Sequence, residues 1–393
     1  MNSSTTKRAP TELVLIAGIL LLAVNLRAPF TALAPVLTLV QEHFSLSTAA
    51  VGVLTSLPLF AFAAFSPVSA TVAKRFGLER TIICALLLVG LGIALRSTGV
   101  VGLLYFGTAV IGIGIAFGNV LLPSLIKRDF AASVASLTGA YALAMGAGGA
   151  LGSALVTPVA HSYGWQLALA AFIVLPVVAL LSWAPRWQAH EVYAPAARSP
   201  AQAKSIWRSA LAWHVTLFMG FNAMIFYVAV SWLPSILIDQ GLTANQAGTM
   251  HGILQLATAI PGLILATVIR RMPDQRPAAV CVSLISAVSL LGLVFVPGLA
   301  AVWAALLGFG SGASMILGLT FIGLRTHSAA EAGALSGMAQ CVGYLMAAAG
   351  PMLLGAIRDW QGGWTVPLIL AAGVAVLGAW AGMLAGRNAH IGH

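Results

Sequence analysis

The chain has 393 residues, of which 60% are hydrophobic and only 7% are charged. A soluble domain carries about 25% charged residues, so this composition excludes a soluble globular protein and indicates a membrane protein. The net charge of +10 does not indicate nucleic-acid binding, because the basic residues are spread through short gaps between apolar runs and form no single patch or tail.

Twelve apolar runs are long enough to cross about 30 Å of hydrocarbon, and we call them spans 1 to 12. The first run is too long for a signal peptide and lacks a small-residue cleavage site, so we expect it to stay in the membrane. In chain order the spans are Leu13–Val40, Ala49–Ala73, Thr81–Leu95, Val100–Ile126, Ala132–Ala160, Trp165–Pro185, Leu211–Ile238, Ala244–Ile269, Ala278–Val296, Leu299–Leu324, Ala332–Ile357 and Trp364–Gly386.

The gaps between the spans alternate in charge. Of the 19 Lys and Arg residues, 16 fall in one set of gaps and in the two tails. The other set of gaps holds only Arg96 and Arg358, and Arg27 lies within span 1. Because Lys and Arg accumulate on the cytoplasmic side, both termini are predicted to be cytoplasmic. We call this end of the molecule the basic face and the other end the opposite face.

The longest gap divides six spans from six. It predicts a cytoplasmic tail over 1–12, a six-helix bundle over 13–185, a cytoplasmic loop over 186–210, a second bundle over 211–386 and a tail over 387–393. The halves match at nearly one offset: Ala70–Arg75 corresponds to Ala266–Arg271, and Gly164-Trp165 to Gly363-Trp364. Because each half has an even number of spans, we expect a pseudo-twofold axis along the membrane normal, with the substrate between the bundles at mid-depth.

Arg27 lies in the string Asn25-Leu26-Arg27-Ala28-Pro29, in the middle of span 1. At about 1.5 Å per residue it is roughly 20 Å into the bilayer, where a cation costs at least about 2.5–3.5 kcal/mol. No Asp or Glu lies deep in any apolar run. The counter-charge must come from backbone carbonyls such as those freed at Pro29, from polar side chains, from water or from a cargo. We favour a cargo because a guanidinium fork suits carboxylate, cyanate or nitro oxygens.

Other polar and aromatic side chains near mid-depth are candidates for the same pocket. Each amide has helix–helix packing as the alternative role. Asn25 is expected to bond within the kink or to a neighbouring helix. The predicted substrate-binding residues besides Arg27 are Asn222, Gln255, Gln340, Tyr141 and Tyr344.

Three residues of spans 7 and 8 are candidates for a gate or a proton relay. Tyr227 and Trp232 lie further outward in span 7 and predict an outer gate, with an interfacial aromatic belt as the alternative. His251 could titrate near neutral pH, with a hydrogen-bonded helix-end histidine as the alternative. In span 5, Gly146, Gly148, Gly149 and Gly152 predict close approach of another helix.

No sequence pattern indicates an enzyme. The chain has no phosphate-binding Gly-rich loop with Lys and Ser or Thr, and its three cysteines, in apolar runs, have no metal-ligand spacing. We therefore predict no catalysis, no cofactor and no metal.

The twelve spans, the six-plus-six repeat and the basic turns after spans 2 and 8 resemble the major facilitator superfamily. The turn Pro67–Gly77 keeps Lys74, Arg75 and Gly77 but lacks the initial Gly and the Asp of the family motif. More closely, a set of segments spread over the chain resembles the cyanate and 2-nitroimidazole transporter branch of this superfamily. They are Asn25-Leu26-Arg27, Leu54–Pro58, Gly118–Pro123 with Lys127–Phe130, and Gly318–Gly323 with Leu335–Gln340.

The resemblance implies an all-α membrane protein of two six-helix bundles that works as a secondary active transporter in the bacterial inner membrane. Its cargo would be a small anionic or electron-rich nitrogen compound, moved by alternating access, and an exporter is favoured. The alternatives are an importer of cyanate or another small anion and, in another class, a membrane sensor that binds ligand without transport. We expect a monomer whose partners are its substrate and the lipid bilayer.

Overall fold

The computed structural model describes residues 8–130, 133–187, 206–269, 272, 274–327 and 329–391. These residues are overwhelmingly helical, and no strand occurs among them. The α-helices, in chain order, are Arg8–Asn25, Ala28–Thr31, Leu37–Phe44, Thr48–Phe76, Leu78–Arg96, Val101–Asp129, Val134–Ala170, Val174–Trp183, Ala210–Asp239, Ala244–Ala257, Ile260–Ile269, Arg276–Phe295, Ala300–Leu324, Ala329–Gln361 and Thr365–Ala385.

Ten helical stretches of the described chain are long and apolar enough to cross a membrane. One of them, Ser136–Arg186, has 51 residues and covers most of predicted span 5 and all of predicted span 6. The chain turns between these spans at Gly164, whose φ of 83° lies in the left-handed region that glycine adopts readily. Span 8 consists of two shorter helices. The all-helical, multi-pass membrane fold is therefore confirmed.

Spans 1 and 8 are broken near their middle. Span 1 leaves the helix at Leu26 and Arg27, just before Pro29, and span 8 is interrupted just before Pro261. Proline lacks a backbone donor and disfavours helix at the preceding residue. Irregular backbone at membrane depth is tolerated only where it is buried in protein or lines a cavity. The two breaks therefore point to the part of the bundle where a site can lie.

The two predicted halves pack together through span 2 against span 11 and span 5 against span 8. Ser56 Oγ donates to the Ala348 carbonyl at 2.7 Å. The Asp359 carboxylate accepts from the backbone N–H groups of Thr48 at 3.2 Å and Ala49 at 2.8 Å. Within the described part of the chain, the hydrogen bonds between the halves lie between mid-depth and the opposite face. The opposite face is thus held closed.

One basic residue of the opposite set does not lie where the sequence predicts. Arg96 is expected in an outer loop, but only 1% of it is exposed, and its Nη1 donates to the Pro29 carbonyl at 2.7 Å. The long side chain turns inward from the end of span 3, whereas Arg358 pairs with Asp239 at 3.2 Å at the surface. The predicted central loop lies largely outside the described residues, so the domain boundaries stay a prediction.

Candidate functional site

The break in span 1 holds Arg27 between two helical pieces. The backbone acceptors around it are already used: the Arg27 carbonyl accepts from the backbone N–H of Thr31 at 3.0 Å, and the Pro29 carbonyl accepts from Arg96. Asn25 Nδ2 donates to the Leu21 carbonyl at 2.9 Å, as expected for a bond within the kink. The kink is therefore held by other donors, and the Arg27 side chain is not needed for it.

The Arg27 side chain is partly buried, and one of its donors is unmet. Its Nε is buried and has no hydrogen-bond partner, and among the ion pairs of the described residues none includes Arg27. Its Cζ lies 4.9 Å from the ring centroid of Phe226, in the other half of the molecule. A cation–π contact of this kind stabilises the charge only in part. No acceptor among the described residues is hydrogen-bonded to this Nε.

Glycines of span 5 make room for this arrangement. A Cβ at Gly149 would lie 2.9 Å from Arg27 Cγ and 3.3 Å from Gln255 Cβ and Cγ. On the same helix, a Cβ at Gly152 would lie 2.8 Å from the Ala28 carbonyl oxygen, and one at Gly146 would lie 3.3 Å from the Gln255 carbonyl oxygen. The glycine face of span 5 therefore lies between the breaks of spans 1 and 8 and brings Arg27 and Gln255 together.

Gln255 and His251 form the polar wall that span 8 contributes. Both are fully buried, and Gln255 Nε2 lies 3.3 Å from His251 Nε2. The Gln255 amide donates this hydrogen bond, and the His251 imidazole accepts it at Nε2. Gln255 Oε1 and His251 Nδ1 are buried without partners. His251 lies within electrostatic range of Arg27. Unpaired polar atoms from two halves thus border one region.

Aromatic rings complete the surroundings of Arg27. The Tyr227 ring centroid lies 5.8 Å from that of Phe30 and 5.0 Å from that of Phe226. Tyr227 is 9% exposed, so it lies in the core beside Arg27 and not in an interfacial belt. The Tyr344 ring contacts Phe62 across the halves at 5.2 Å, and both tyrosines lie within electrostatic range of Arg27.

Two predicted residues lie away from this cluster. Asn222 Nδ2 donates to the Phe218 carbonyl at 2.8 Å, and its Oδ1 accepts from Ser283 at 3.2 Å and from Ser314 at 2.9 Å. These bonds join spans 7, 9 and 10 within one half. Trp232 is 1% exposed, and its Nε1 donates to the Pro351 carbonyl at 3.0 Å. It packs near the opposite face and does not form a lipid-facing belt.

Two further candidates lie on the basic-face side of Arg27. Tyr141 packs against the same apolar cluster as Tyr344, two helical turns from Gly149 along span 5. Gln340 is one turn from Tyr344 on span 11 and is half-buried. Both can line an approach to Arg27 from the basic face.

Sequence reasoning missed three residues. Phe226 and Phe30 contact the Arg27 cluster directly, and Arg96 reaches the broken segment from span 3. The sequence feature that could have identified Phe226 is its position next to Tyr227, which was itself a candidate. No group of His, Cys, Asp and Glu in the described part of the chain could hold a metal ion.

Comparison with known proteins gives matches over most of the chain. Residues 19–351 match the sequence profile described as Major Facilitator Superfamily. The chain is 53% identical over 392 residues to a 2-nitroimidazole transporter of Escherichia coli (strain K12), covering 100% of both proteins. It is 25% identical over 367 residues to the cyanate transport protein CynX of the same organism, covering 91% of this chain and 94% of that protein. The resemblance to this branch is confirmed.

Solved structures support the fold. The structure of a bacterial homolog of the human lysosomal transporter Spinster, in an inward-facing and occupied conformation, matches with a TM-score of 0.77 at 16% identity, covering 96% of this chain and 97% of that chain. A D-xylose-proton symporter matches with a TM-score of 0.72 at 14% identity, covering 94% and 96% of the two chains. At these identities the likeness concerns the architecture alone.

Proposed function

This chain belongs to the major facilitator superfamily, and we propose that it moves a small, electron-rich nitrogen compound across the bacterial inner membrane by alternating access. Its relatives and its fold are those of transporters and not of enzymes. The compound class we propose is a nitro-substituted nitrogen heterocycle of the 2-nitroimidazole kind, in line with the name of the relative that is 53% identical over its whole length.

The observation that carries this proposal is the buried Arg27 donor with no acceptor. A cation in a low-dielectric site without a partner is costly, and an incoming nitro or anionic group supplies two oxygens that a guanidinium can bind in parallel. The carbonyls of the kink are bonded to other donors. A ligand that provides acceptor oxygens therefore completes the site.

The surroundings of Arg27 favour a flat ring over a linear anion. The Tyr227 ring is in edge contact with both Phe30 and Phe226 beside Arg27. Apolar walls with a few polar groups are typical of sites for small organic molecules. Gln255 Oε1, buried without a partner, can accept from a ring N–H. The second candidate cargo is cyanate, supported by the guanidinium and by the 25% identical cyanate transport protein.

The arrangement of the halves supports alternating access. Arg27 comes from one half, whereas Phe226 and Gln255 come from the other. A ligand held by both groups stabilises whichever state brings them together. The hydrogen bonds between Asp359 and span 2 close the opposite face. We propose that the basic face is cytoplasmic, with both termini there, and that the protein works as an exporter.

Binding by the purified full-length protein tests the site. We expect calorimetric titration with 2-nitroimidazole to give saturable binding that Arg27→Met abolishes and Arg27→Lys weakens strongly, since an ammonium cannot form the parallel pair of bonds. The matched control is Arg75→Met, an arginine exposed at the basic face, which should bind like the wild type. Wild-type affinity in a folded Arg27→Met variant would remove the proposal. Tighter binding of cyanate than of 2-nitroimidazole would favour the second cargo.

Growth of cells that carry or lack the gene tests the direction. Loss of an exporter should sensitise the cells to 2-nitroimidazole, and re-expression of Arg27→Met should fail to restore resistance. Protection on deletion would instead indicate an importer.

A further inference from the structure

The break in span 1 carries positive charge that no carboxylate of the protein balances. Arg27 lies in the break, and Arg96 reaches the same segment, where its Nη1 donates to the Pro29 carbonyl at 2.7 Å. In the described part of the chain no ion pair includes either arginine. All nine Asp and Glu residues lie outside the predicted spans. The electrostatic potential around the break is therefore positive, which favours an anionic guest over a neutral one.

The charged end of Arg27 can be reached by a ligand. The side chain is partly buried. Its Nε is buried without a partner, whereas its terminal nitrogens Nη1 and Nη2 are not buried, and no hydrogen bond among the described residues uses them. These two nitrogens form the end of the guanidinium fork, which binds two oxygens of one planar group in parallel. A ligand therefore meets the fork without displacing a bond of the protein.

The polar side chains near Arg27 do not supply the missing negative charge. Tyr227 and Tyr344 lie within electrostatic range of it, but a phenol is neutral near pH 7. The amide of Gln255 is also neutral and is bonded to His251. A nitro group offers two oxygens but no net charge. A carboxylate has the same planar shape and a full negative charge, and charge-assisted hydrogen bonds are roughly twice as strong as neutral ones.

The aromatic walls next to the fork favour a carboxylate that is attached to a ring. The Phe226 ring centroid lies 4.9 Å from Arg27 Cζ, and the Tyr227 ring is in edge contact with both Phe226 and Phe30. A flat ring can pack against these walls while its carboxylate binds Arg27, since apolar walls with a few placed polar groups suit small organic molecules. A small linear or methyl-bearing anion leaves the walls uncovered.

We propose that planar ring monocarboxylates are a second class of cargo for this site. The smallest of them is a five-membered nitrogen heterocycle with one carboxylate, which has nearly the outline of 2-nitroimidazole and supplies the charge that the nitro compound lacks. This inference rests on the proposed function, because it uses the same site at Arg27. It adds that the site recognises the charge of its cargo as well as the shape.

Calorimetric titration of the purified full-length protein with three ligands tests the inference. Pyrrole-2-carboxylate has ring and charge, pyrrole-2-carboxamide has the ring without the charge, and acetate has the charge without the ring. We expect saturable binding of pyrrole-2-carboxylate and at least about tenfold weaker binding of the other two, as for the loss of one charge-assisted bond or of one buried ring. Pyrrole-2-carboxylate should also raise the apparent Kd of 2-nitroimidazole, since both ligands compete for one site.

Substitution of Arg27 assigns the binding to this site. Arg27→Met should abolish binding of pyrrole-2-carboxylate, whereas Arg27→Lys should keep part of it, because an ammonium retains the charge but not the fork. The matched control is Arg75→Met, at an exposed arginine of the basic face, which should bind like the wild type. If Arg27→Met does not fold, the three ligands and Arg27→Lys decide the matter with folded protein. Wild-type affinity in a folded Arg27→Met variant overturns the inference.

Counterflow in proteoliposomes shows whether the bound carboxylate is carried. Vesicles loaded with unlabelled pyrrole-2-carboxylate should take up the labelled compound faster than protein-free vesicles, whatever the coupling ion. The inference is overturned by a lack of counterflow, or by affinities for the three ligands that differ less than threefold. Binding of 2-nitroimidazole without binding of pyrrole-2-carboxylate removes this inference and leaves the proposed function. The reverse result removes the nitro compound as cargo and leaves the carboxylate, so the two proposals fail separately.

Discussion

Arg325 is buried and Arg27 is partly buried, and the acceptors around the two side chains differ. Arg325 is 2% exposed. Its Nε donates to the Ala385 carbonyl at 3.0 Å, and its Nη2 donates to the Gly386 carbonyl at 3.0 Å and to Gln275 Oε1 at 2.7 Å. The two carbonyls belong to the end of span 12, where a helix leaves its last acceptors unpaired. Arg325 therefore caps a helix and fixes span 10 to span 12.

Arg27 has no comparable set of acceptors. Its Nε is unpartnered, and its described contacts are the Phe226 ring and the crowded carbon atoms near Gly149. The contrast separates two uses of a buried arginine. Where the fold supplies the acceptors, the cation stabilises the fold; where it does not, the cation costs stability until a ligand arrives.

The largest expected effect on stability comes from Arg325→Met. This change leaves two helix-end carbonyls and the Gln275 amide without their donor, at about 1–3 kcal/mol for each buried group. We expect the unfolding temperature of the purified protein in detergent to fall further than for any other variant proposed here. The affinity of the remaining folded protein for 2-nitroimidazole should stay within twofold of the wild type. A large loss of affinity at unchanged stability would show that the comparison is wrong.

Arg27→Met should behave in the opposite way. Replacing a partly buried cation that has no ion-pair partner with an apolar side chain of similar length is expected to be neutral or stabilising, so the unfolding temperature without ligand should stay equal or rise. Binding of 2-nitroimidazole should weaken at least about 100-fold, since two charge-assisted bonds contribute about 1.5–3 kcal/mol each. Thermal unfolding with and without ligand measures both effects. Destabilisation as large as that of Arg325→Met would contradict the assignment.

The sequence identified Arg27 because a charge in the middle of an apolar run is costly wherever the neighbouring helices lie. Span number and fold class follow from run length for the same reason. Which helix faces meet could not be predicted in this way. In a membrane helix all faces are apolar, so the pattern does not distinguish the face of Asn222, which bonds to Ser283 and Ser314, from the face of Phe226, which contacts Arg27.

Residues at span ends are also poorly predicted from sequence. Arg96 and Arg325 both follow apolar runs, where a basic residue ordinarily lies in a solvated loop. Both side chains are long enough to turn back into the protein, and they do so because carbonyls at Pro29 and at the end of span 12 lack other donors. The sequence does not show where such acceptors lie. Likewise, Pro29 and Pro261 mark breaks whereas Pro58 and Pro234 lie within continuous helices.

Gly149→Ala tests whether the position of Arg27, and not only its charge, creates the site. The new Cβ would lie 2.9 Å from Arg27 Cγ, so the side chain or span 5 must shift. We expect 2-nitroimidazole binding to weaken about tenfold, within the range of about 1–3 kcal/mol for overpacking. The control is Gly139→Ala on the same helix, where a Cβ would meet no atom within 4 Å. Equal affinities in the two variants would show that the close approach has no role in binding.

Phe226→Leu should give the smallest effect and the sharpest test of what the ring contributes. Leucine keeps an apolar side chain but removes the aromatic face over which the Arg27 Cζ lies at 4.9 Å. A cation–π contact contributes about 0.5–2 kcal/mol, so we expect about threefold weaker binding of 2-nitroimidazole when Arg27 is less firmly oriented. The decisive measurement is the same substitution in the Arg27→Lys protein. If the ring acts by orienting the planar guanidinium, the effect of Phe226→Leu should shrink there, because an ammonium has no plane to align. An undiminished threefold loss would mean that Phe226 contacts the ligand itself, and the unpaired cation would then be only one of two elements that recognise it.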